Sequence, residues 1–219
     1  MPGTNQAAGR DFATRMLFEL GVAYTLITVT VWTSGRSQRV LFYTSGGWIL
    51  LTSFFPRHTR ELIGLKPSGL RCSWWIIATA LAFGSAAVVL AARLGTLHLP
   101  GRLEQLPMRI FGYVVWSFVQ QFILQDYFLY RLRRLTANIT FAVVATALLF
   151  ALAHLPNLLL TTTALFWGNH FLCTVHTLSR HLFTCVAHAL LGLCIAFTIP
   201  DAVHHGMRVG SGYATYHPH

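Results

Sequence analysis

The chain has 219 residues, of which 54% are hydrophobic and only 10% are charged. A soluble domain of this size has roughly a quarter of its residues charged, so the composition argues against an ordinary soluble protein and for a lipid environment. The formal net charge is +10. The basic residues lie in short clusters between apolar runs, a pattern that is typical of membrane-protein loops and excludes a continuous nucleic-acid-binding stripe.

Seven apolar runs follow a polar N-terminus, and each is close to the length of about 20 residues that a transmembrane helix needs. In chain order they cover residues 16–32, 40–55, 74–92, 110–130, 139–154, 158–175 and 182–200. The second run is short and contains a Gly-Gly pair, so the predicted number of spans is six to eight. The pattern predicts an all-α fold, a polytopic transmembrane helix bundle over residues 1–200, followed by a polar, exposed tail over 201–219.

The sequence predicts no metal and no cofactor, because its cysteines form no CxxC pair and no HExxH motif occurs. A zinc site formed by His154, His181, His188 and Asp126 is the least favoured alternative. Basic residues are more numerous in the loops that share a side with the N-terminus, which places that side in the cytoplasm. Almost all of the basic residues are arginine, as in proteins from GC-rich genomes. We therefore expect a multi-pass protein of the cell membrane, and specifically of a bacterial inner membrane.

Ionisable side chains within apolar runs are costly to bury, so each of them is a functional candidate. Asp126 and Arg131 lie near the end of the fourth run, His154 ends the fifth run and His188 lies in the last. These side chains come from three separate helices and can converge in the bundle interior, where a carboxylate would serve as a general base for water. Two plainer interpretations stay open: His154 as a hydrogen-bonding residue between helices, and Asp126–Arg131 as an interfacial ion pair. Glu19, early in the first run, is expected to reach the interface in a structural role.

Three short segments, in this order, resemble the motifs of the CAAX protease and bacteriocin-processing family of intramembrane proteins, also called the Abi family. The segment DYFLYR at 126–131 resembles EExxxR, FALAH at 150–154 resembles FxxxH, and HALLG at 188–192 resembles HxxxN. The similarity covers the motif-bearing core, from about residue 110 to 200.

The resemblance implies a metal-independent intramembrane endopeptidase with a water-accessible cavity. By that resemblance, Asp126 would be the base that activates water, and Arg131 would be its charge partner. His154 would orient the water or the base, and His188 would donate a hydrogen bond to the oxyanion. The implied partners are the lipid bilayer and a lipidated or membrane-embedded peptide substrate, with no nucleic acid.

The chain departs from the family motifs at three positions. Asp126 replaces a glutamate and is one methylene shorter, Tyr127 replaces the second glutamate, and Gly192 replaces the asparagine. Since Gly192 has no side-chain donor, another group must support the oxyanion. The supporting amides that can do so are Gln125 and Asn157.

These departures keep two other functions open. One is a catalytically inactive family member that binds a membrane peptide or an isoprenoid, or acts as an immunity module. The other is a small transporter or channel with Asp126 and His154 as a proton relay, which is less favoured because the sequence shows no inverted repeat.

Overall fold

The computed structural model describes residues 3–54, 74–99, 103–175 and 181–217. Every regular element in these ranges is a helix, which confirms the all-α prediction. The longer α-helices are α1 Gly3–Trp32, α2 Gly35–Phe54, α3 Trp74–Leu94, α4 Leu106–Gln121, α5 Tyr130–Leu135, α6 Ile139–Leu152, α7 Leu158–Val175 and α8 His181–Thr198. The short elements are the α-helices α9 Asp201–His204 and α10 Ser211–Ala214 and the 3-10 turns Leu103–Gln105 and His205–Met207.

Helices α4 and α5 are joined without a break by a π-helical segment, Phe122–Leu129, so that one long helix runs to Leu135. It ends at Thr136, where the backbone becomes extended. Asn138 then caps α6, its side-chain oxygen accepting a hydrogen bond of 3.0 Å from the Phe141 N–H. A π-helical segment changes the register of side chains along a helix and often occurs at functional sites. Here it contains Asp126.

The bundle is built from four main helix contacts: α3 with α8, α4 with α8, α6 with α7, and α1 with α2. Small residues allow close approach at one of them. A Cβ on Gly168 of α7 would lie 3.5 Å from the Cβ of Ala147 on α6, so these two helices pack at close range. Ala147 is fully buried together with Ala142 and Val143 of the same helix.

Two of the described helices are long and apolar enough to cross a bilayer, Gly9–Trp32 and Trp74–Leu94. Large side chains with apolar surface face outward at many positions, among them Phe18, Tyr43 and Met108, which are 62%, 74% and 73% exposed. Such a surface suits lipid better than water. These observations support a membrane protein, and the count of six to eight spans stays a prediction.

The C-terminal tail is folded against the bundle, which corrects the expectation of an exposed extension. His204 is only 2% exposed, and its backbone oxygen accepts a hydrogen bond of 2.8 Å from the Asn157 side-chain amide. Burial lowers the pKa of the His204 imidazole below its usual range, and the Asp201 carboxylate opposes this shift. The polar composition of the tail predicted solvent, but several of its polar groups are hydrogen-bonded to the rest of the protein instead.

Gly210 brings the tail against the end of α1. Its N–H donates a hydrogen bond of 2.8 Å to the Leu155 oxygen, and its φ of +54° is a conformation that side chains rarely adopt. A Cβ at this position would overlap the backbone oxygen of Val31. A glycine is therefore required for the tail to dock here.

Candidate functional site

A cavity of about 630 Å³ opens among six of the long helices and is lined mainly by apolar side chains. Polar groups on its wall come from all six of these helices, among them Tyr113 and Gln121 from α4, His188 from α8, His154 just beyond the end of α6, and Thr30 from α1. An apolar cavity with a few convergent polar groups is the usual form of a ligand site. This is the candidate site of the protein.

The imidazole of His188 is held by a chain of side-chain amides. Gln125 Nε2 donates to Thr184 Oγ1 at 2.5 Å and to Gln121 Oε1 at 2.6 Å, and Gln121 Nε2 lies 2.7 Å from His188 Nδ1. An amide nitrogen only donates, so Nδ1 of His188 accepts. The neutral ring therefore carries its proton on Nε2, which makes that nitrogen a hydrogen-bond donor.

The imidazole of His154 has the opposite arrangement. Its Nδ1 lies 2.7 Å from the backbone oxygen of Phe150, and since a carbonyl oxygen only accepts, Nδ1 carries the proton. The Nε2 of the neutral ring is then a hydrogen-bond acceptor. This bond turns the side chain back along the last turn of α6, close to where Pro156 prevents the helix from continuing.

The Phe150 ring lies between the two histidines. Its centroid is 4.6 Å from the centroid of His154 and 5.8 Å from that of His188, and all three residues line the cavity. The structure thus brings together the histidines of the second and third motif segments, one with an acceptor at Nε2 and the other with a donor. Hydrolysis of a carbonyl compound needs both groups, an acceptor for the attacking water and a donor for the polarised carbonyl oxygen.

The space beside Gly192, which is at the position of the family asparagine, is occupied by a side chain from another helix. A Cβ on residue 192 would overlap the side-chain hydroxyl of Tyr113. Both residues line the cavity with His188, which lies one turn before Gly192 on α8. A phenolic hydroxyl therefore occupies the space where a larger side chain at residue 192 would begin.

Asp126 is not among the described residues that line this cavity. The residue is half-buried within the π-helical segment, and its charge acts on the Cys185 thiol of α8, about one turn from His188. No aspartate or glutamate is found among the described residues that line the cavity. The structure thus joins His154 and His188 in one wall without placing Asp126 there.

Arg131 pairs with a carboxylate from the first helix. Its Nε is 3.2 Å from Glu19 Oε2, and its terminal nitrogen donates to the Thr52 oxygen at 2.9 Å. The guanidinium also lies 3.7 Å above the ring of Tyr127, which is fully buried. Glu19 is 7% exposed, so its carboxylate is enclosed by protein, and its depth relative to the membrane interface stays a prediction.

The two supporting amides are both engaged within the fold. Gln125 donates from its amide nitrogen to Gln121, which contacts His188, so Gln125 positions that ring indirectly. Asn157 Nδ2 donates to the backbone oxygens of His204 and Arg208, at 2.8 and 3.1 Å. Both of its amide protons are used to hold the tail, which is a structural role.

Three residues at or near the site were not singled out from the sequence for the parts they play: Glu19, Tyr113 and Gln121. Glu19 is the only acidic residue in its apolar run, a signal that could have marked it as the partner of a buried arginine. Gln121 could have been found from its spacing of four to Gln125, which places both on one helix face. Nothing in the local sequence marks Tyr113.

Residues 102–194 match a family model described as type II CAAX prenyl endopeptidase Rce1-like. The matched stretch contains all three motif segments, so the resemblance to the CAAX protease and bacteriocin-processing family is confirmed. No curated protein and no solved structure matches the chain significantly.

Proposed function

We propose that the chain is an intramembrane endopeptidase that hydrolyses a lipidated or membrane-embedded peptide. The observation that carries this proposal is the pair of histidines on one cavity wall, His188 with a donor at Nε2 and His154 with an acceptor. Hydrolysis of a peptide bond needs an acceptor for the water proton and a donor for the oxyanion, and the match to a protease family supports that reaction.

In the proposed reaction, a water bound at His154 Nε2 attacks the scissile carbonyl carbon. The carbonyl electron pair moves to oxygen, and the resulting oxyanion accepts hydrogen bonds from His188 Nε2–H and from the Tyr113 hydroxyl. The proton that leaves the water passes to the base, which is Asp126 by the resemblance and His154 Nε2 in the alternative form of the proposal. When the tetrahedral intermediate collapses, the C–N bond breaks and the leaving amine takes up that proton. No metal enters any step.

The Tyr113 hydroxyl replaces the donor that Gly192 lacks. Three facts support this assignment: the hydroxyl lies where the side chain of residue 192 would begin, it lines the cavity, and it stands beside the turn of α8 that carries His188. A preorganised donor of this kind contributes roughly 10²–10³ in kcat.

Asp126 is proposed as the base because of the resemblance. Its charge also acts on Cys185 of α8, so a role in orienting α8 has to be distinguished from the role of base. If Asp126 accepts the proton, Asp126→Asn removes cleavage completely. If instead it only fixes the orientation of α8, Asp126→Asn retains part of the activity and His154→Gln removes the rest, because the histidine is then the acceptor.

The cavity itself suits a substrate with a long apolar part. Its volume of about 630 Å³ and its mainly apolar lining can hold an isoprenoid or acyl chain next to the two histidines. A multi-pass arrangement in a cell membrane, with six to eight spans, is part of the same proposal because it keeps such a substrate in the bilayer. An inner bacterial membrane is the proposed location.

The test is cleavage of a prenylated CAAX-type peptide by the purified chain in liposomes, with the released fragment identified by mass spectrometry. His188→Ala is expected to lower kcat by about 10²–10³-fold, whereas His170→Ala, at an exposed position on α7, leaves it unchanged. Cleavage that persists in His188→Ala at the wild-type rate would refute the proposal.

A second function is favoured by one observation, the lack of a carboxylate among the described residues of the cavity wall. On this reading the chain binds the lipidated peptide without cutting it. The same assay separates the two functions: saturable binding of the peptide with no product from the wild-type chain supports the binding module.

A further inference from the structure

The loop after α3 is hydrogen-bonded to the last residues of α8, just before α9 begins. Backbone hydrogen bonds fix their relation: the His98 N–H donates to the Phe197 oxygen at 3.0 Å, and the Thr96 hydroxyl donates to the Thr198 oxygen at 2.9 Å. The side chain of His98 is therefore held beside the first turn of α9, which begins at Asp201.

The side chains of His98, Asp201 and His204 lie together at this junction, and each offers one potential ligand atom. Nε2 of His204 is 3.1 Å from Asp201 Oδ1, and Nε2 of His98 is 3.8 Å from the same oxygen. The ligand atoms of all three residues lie within 4.8 Å of one another. Around a tetrahedral zinc ion with bonds near 2.0 Å, ligand atoms are separated by about 3.3 Å, so the cluster needs only small adjustments to close on an ion.

Two nitrogens in this cluster are buried without a hydrogen bond. His98 Nε2 and His204 Nε2 are both inaccessible to solvent, and neither makes a well-aligned hydrogen bond within the described part of the chain, although His204 Nε2 lies 3.1 Å from Asp201 Oδ1. Buried polar atoms are nearly always satisfied, and an ion is one of the groups that explain an exception. The His204 side chain is 2% exposed, so no bulk water reaches it.

The other ring nitrogens show how each imidazole would bind. His98 Nδ1 lies 2.9 Å from the Thr96 oxygen and so carries the proton, which leaves the Nε2 lone pair free for a metal. Nδ1 of His204 accepts from the Met207 N–H at 3.1 Å. A metal at Nε2 would move the His204 proton to Nδ1, so binding exchanges this backbone hydrogen bond for a metal–nitrogen bond.

We propose that His98, Asp201 and His204 bind one zinc-type divalent transition-metal ion, with water as the fourth ligand. Two imidazoles and one carboxylate suit such an ion, whereas calcium and magnesium require more oxygen ligands than one carboxylate supplies. The ion clips the tail to the loop after α3. The sequence analysis predicted no metal from the absence of CxxC and HExxH motifs, and such motifs cannot show this cluster because His98 is far from the other two ligands along the chain.

The experiment is titration of the full, untagged chain with Co²⁺ after dialysis against a chelator, in detergent micelles. The absorption spectrum is expected to show an intense four-coordinate band that saturates at one equivalent. Asp201→Asn is expected to weaken binding at least about tenfold and to remove this band. His205→Ala, which alters a neighbouring histidine outside the cluster, leaves the band unchanged.

A second measurement guards against variants that simply disturb the tail. Zn²⁺ should raise the Tm of the wild-type chain but not that of Asp201→Asn, whose side chain is 45% exposed and thus easily replaced. The proposal is overturned if Co²⁺ gives no four-coordinate band. It is also overturned if Asp201→Asn binds like the wild-type chain, or if Zn²⁺ leaves Tm unchanged. None of these outcomes depends on peptide cleavage.

Discussion

Glu19 of α1 and Arg131 of α5 form an ion pair in the interior, with Nε and Oε2 3.2 Å apart and both residues less than a tenth exposed. The pair joins the first helix to the end of the motif segment at 126–131. At position 127, where the family motif has its second glutamate, this chain has a tyrosine. Its ring lies under the guanidinium, and the carboxylate comes from a different helix.

Removing the Glu19 carboxylate should therefore destabilise the chain strongly. Glu19→Ala leaves a buried guanidinium without its charge partner, and we expect a loss of about 3–5 kcal/mol in the free energy of unfolding, measured by denaturant titration in detergent. Arg15→Ala is the matched control, because Arg15 also pairs with Glu19 at 2.9 Å but is 66% exposed. It should cost less than about 1 kcal/mol. Equal losses in the two variants would contradict the assignment.

Exchange of the donor between positions 113 and 192 tests the proposed oxyanion site. Tyr113→Phe keeps the ring and removes only the hydroxyl, and should lower kcat for the prenylated peptide by about 10²-fold. Gly192→Asn alone should be disrupted by overlap with the Tyr113 hydroxyl. The double variant Tyr113→Ala with Gly192→Asn removes that overlap and should recover activity above that of either single variant. Full activity in Tyr113→Phe would eliminate the tyrosine as a donor.

The tautomer of His188 can be measured directly. In the wild-type chain labelled with ¹⁵N-histidine, nuclear magnetic resonance should show the His188 proton on Nε2, because Gln121 donates to Nδ1. Gln121→Glu replaces the donor with an acceptor, so the proton should move to Nδ1. The peptidase should then lose about 10²-fold in kcat. A His188 proton on Nδ1 in the wild-type chain would show that the amide chain does not run as described.

Docking of the tail depends on Gly210. Gly210→Ala introduces a Cβ at a φ of +54° and against the Val31 oxygen, and should cost more than about 1 kcal/mol of local stability. Hydrogen exchange of the tail amides measures this loss. Gly212→Ala serves as the control, since its Cβ would meet only ordinary contacts at 3.8 Å. Unchanged protection in Gly210→Ala would mean that the tail docks by other contacts.

The sequence was sufficient to predict that the fold is helical, but it did not identify all of the residues that contact the site residues. Apolar runs placed α3 and α7 within about two residues of their observed ends, because the apolar residues of each helix extend along most of its length. The three motif segments located His154 and His188. The partners of these groups come from residues far away in the chain: Glu19 lies 112 positions from Arg131, and Tyr113 reaches Gly192 from another helix. A local pattern can mark a residue such as Glu19 as a candidate, but it does not identify the distant residue that pairs with it.

The arrangement of Tyr113 and Gly192 also limits the order in which substitutions at these two positions can occur during evolution. The tyrosine hydroxyl occupies its place only when residue 192 has no side chain. An ancestor with asparagine at 192 must therefore have acquired the glycine before, or together with, this placement of the tyrosine. Reversal meets the same barrier, because asparagine cannot return until the tyrosine has moved. Relatives with a side chain at the position of Gly192 should therefore place the residue at the position of Tyr113 differently.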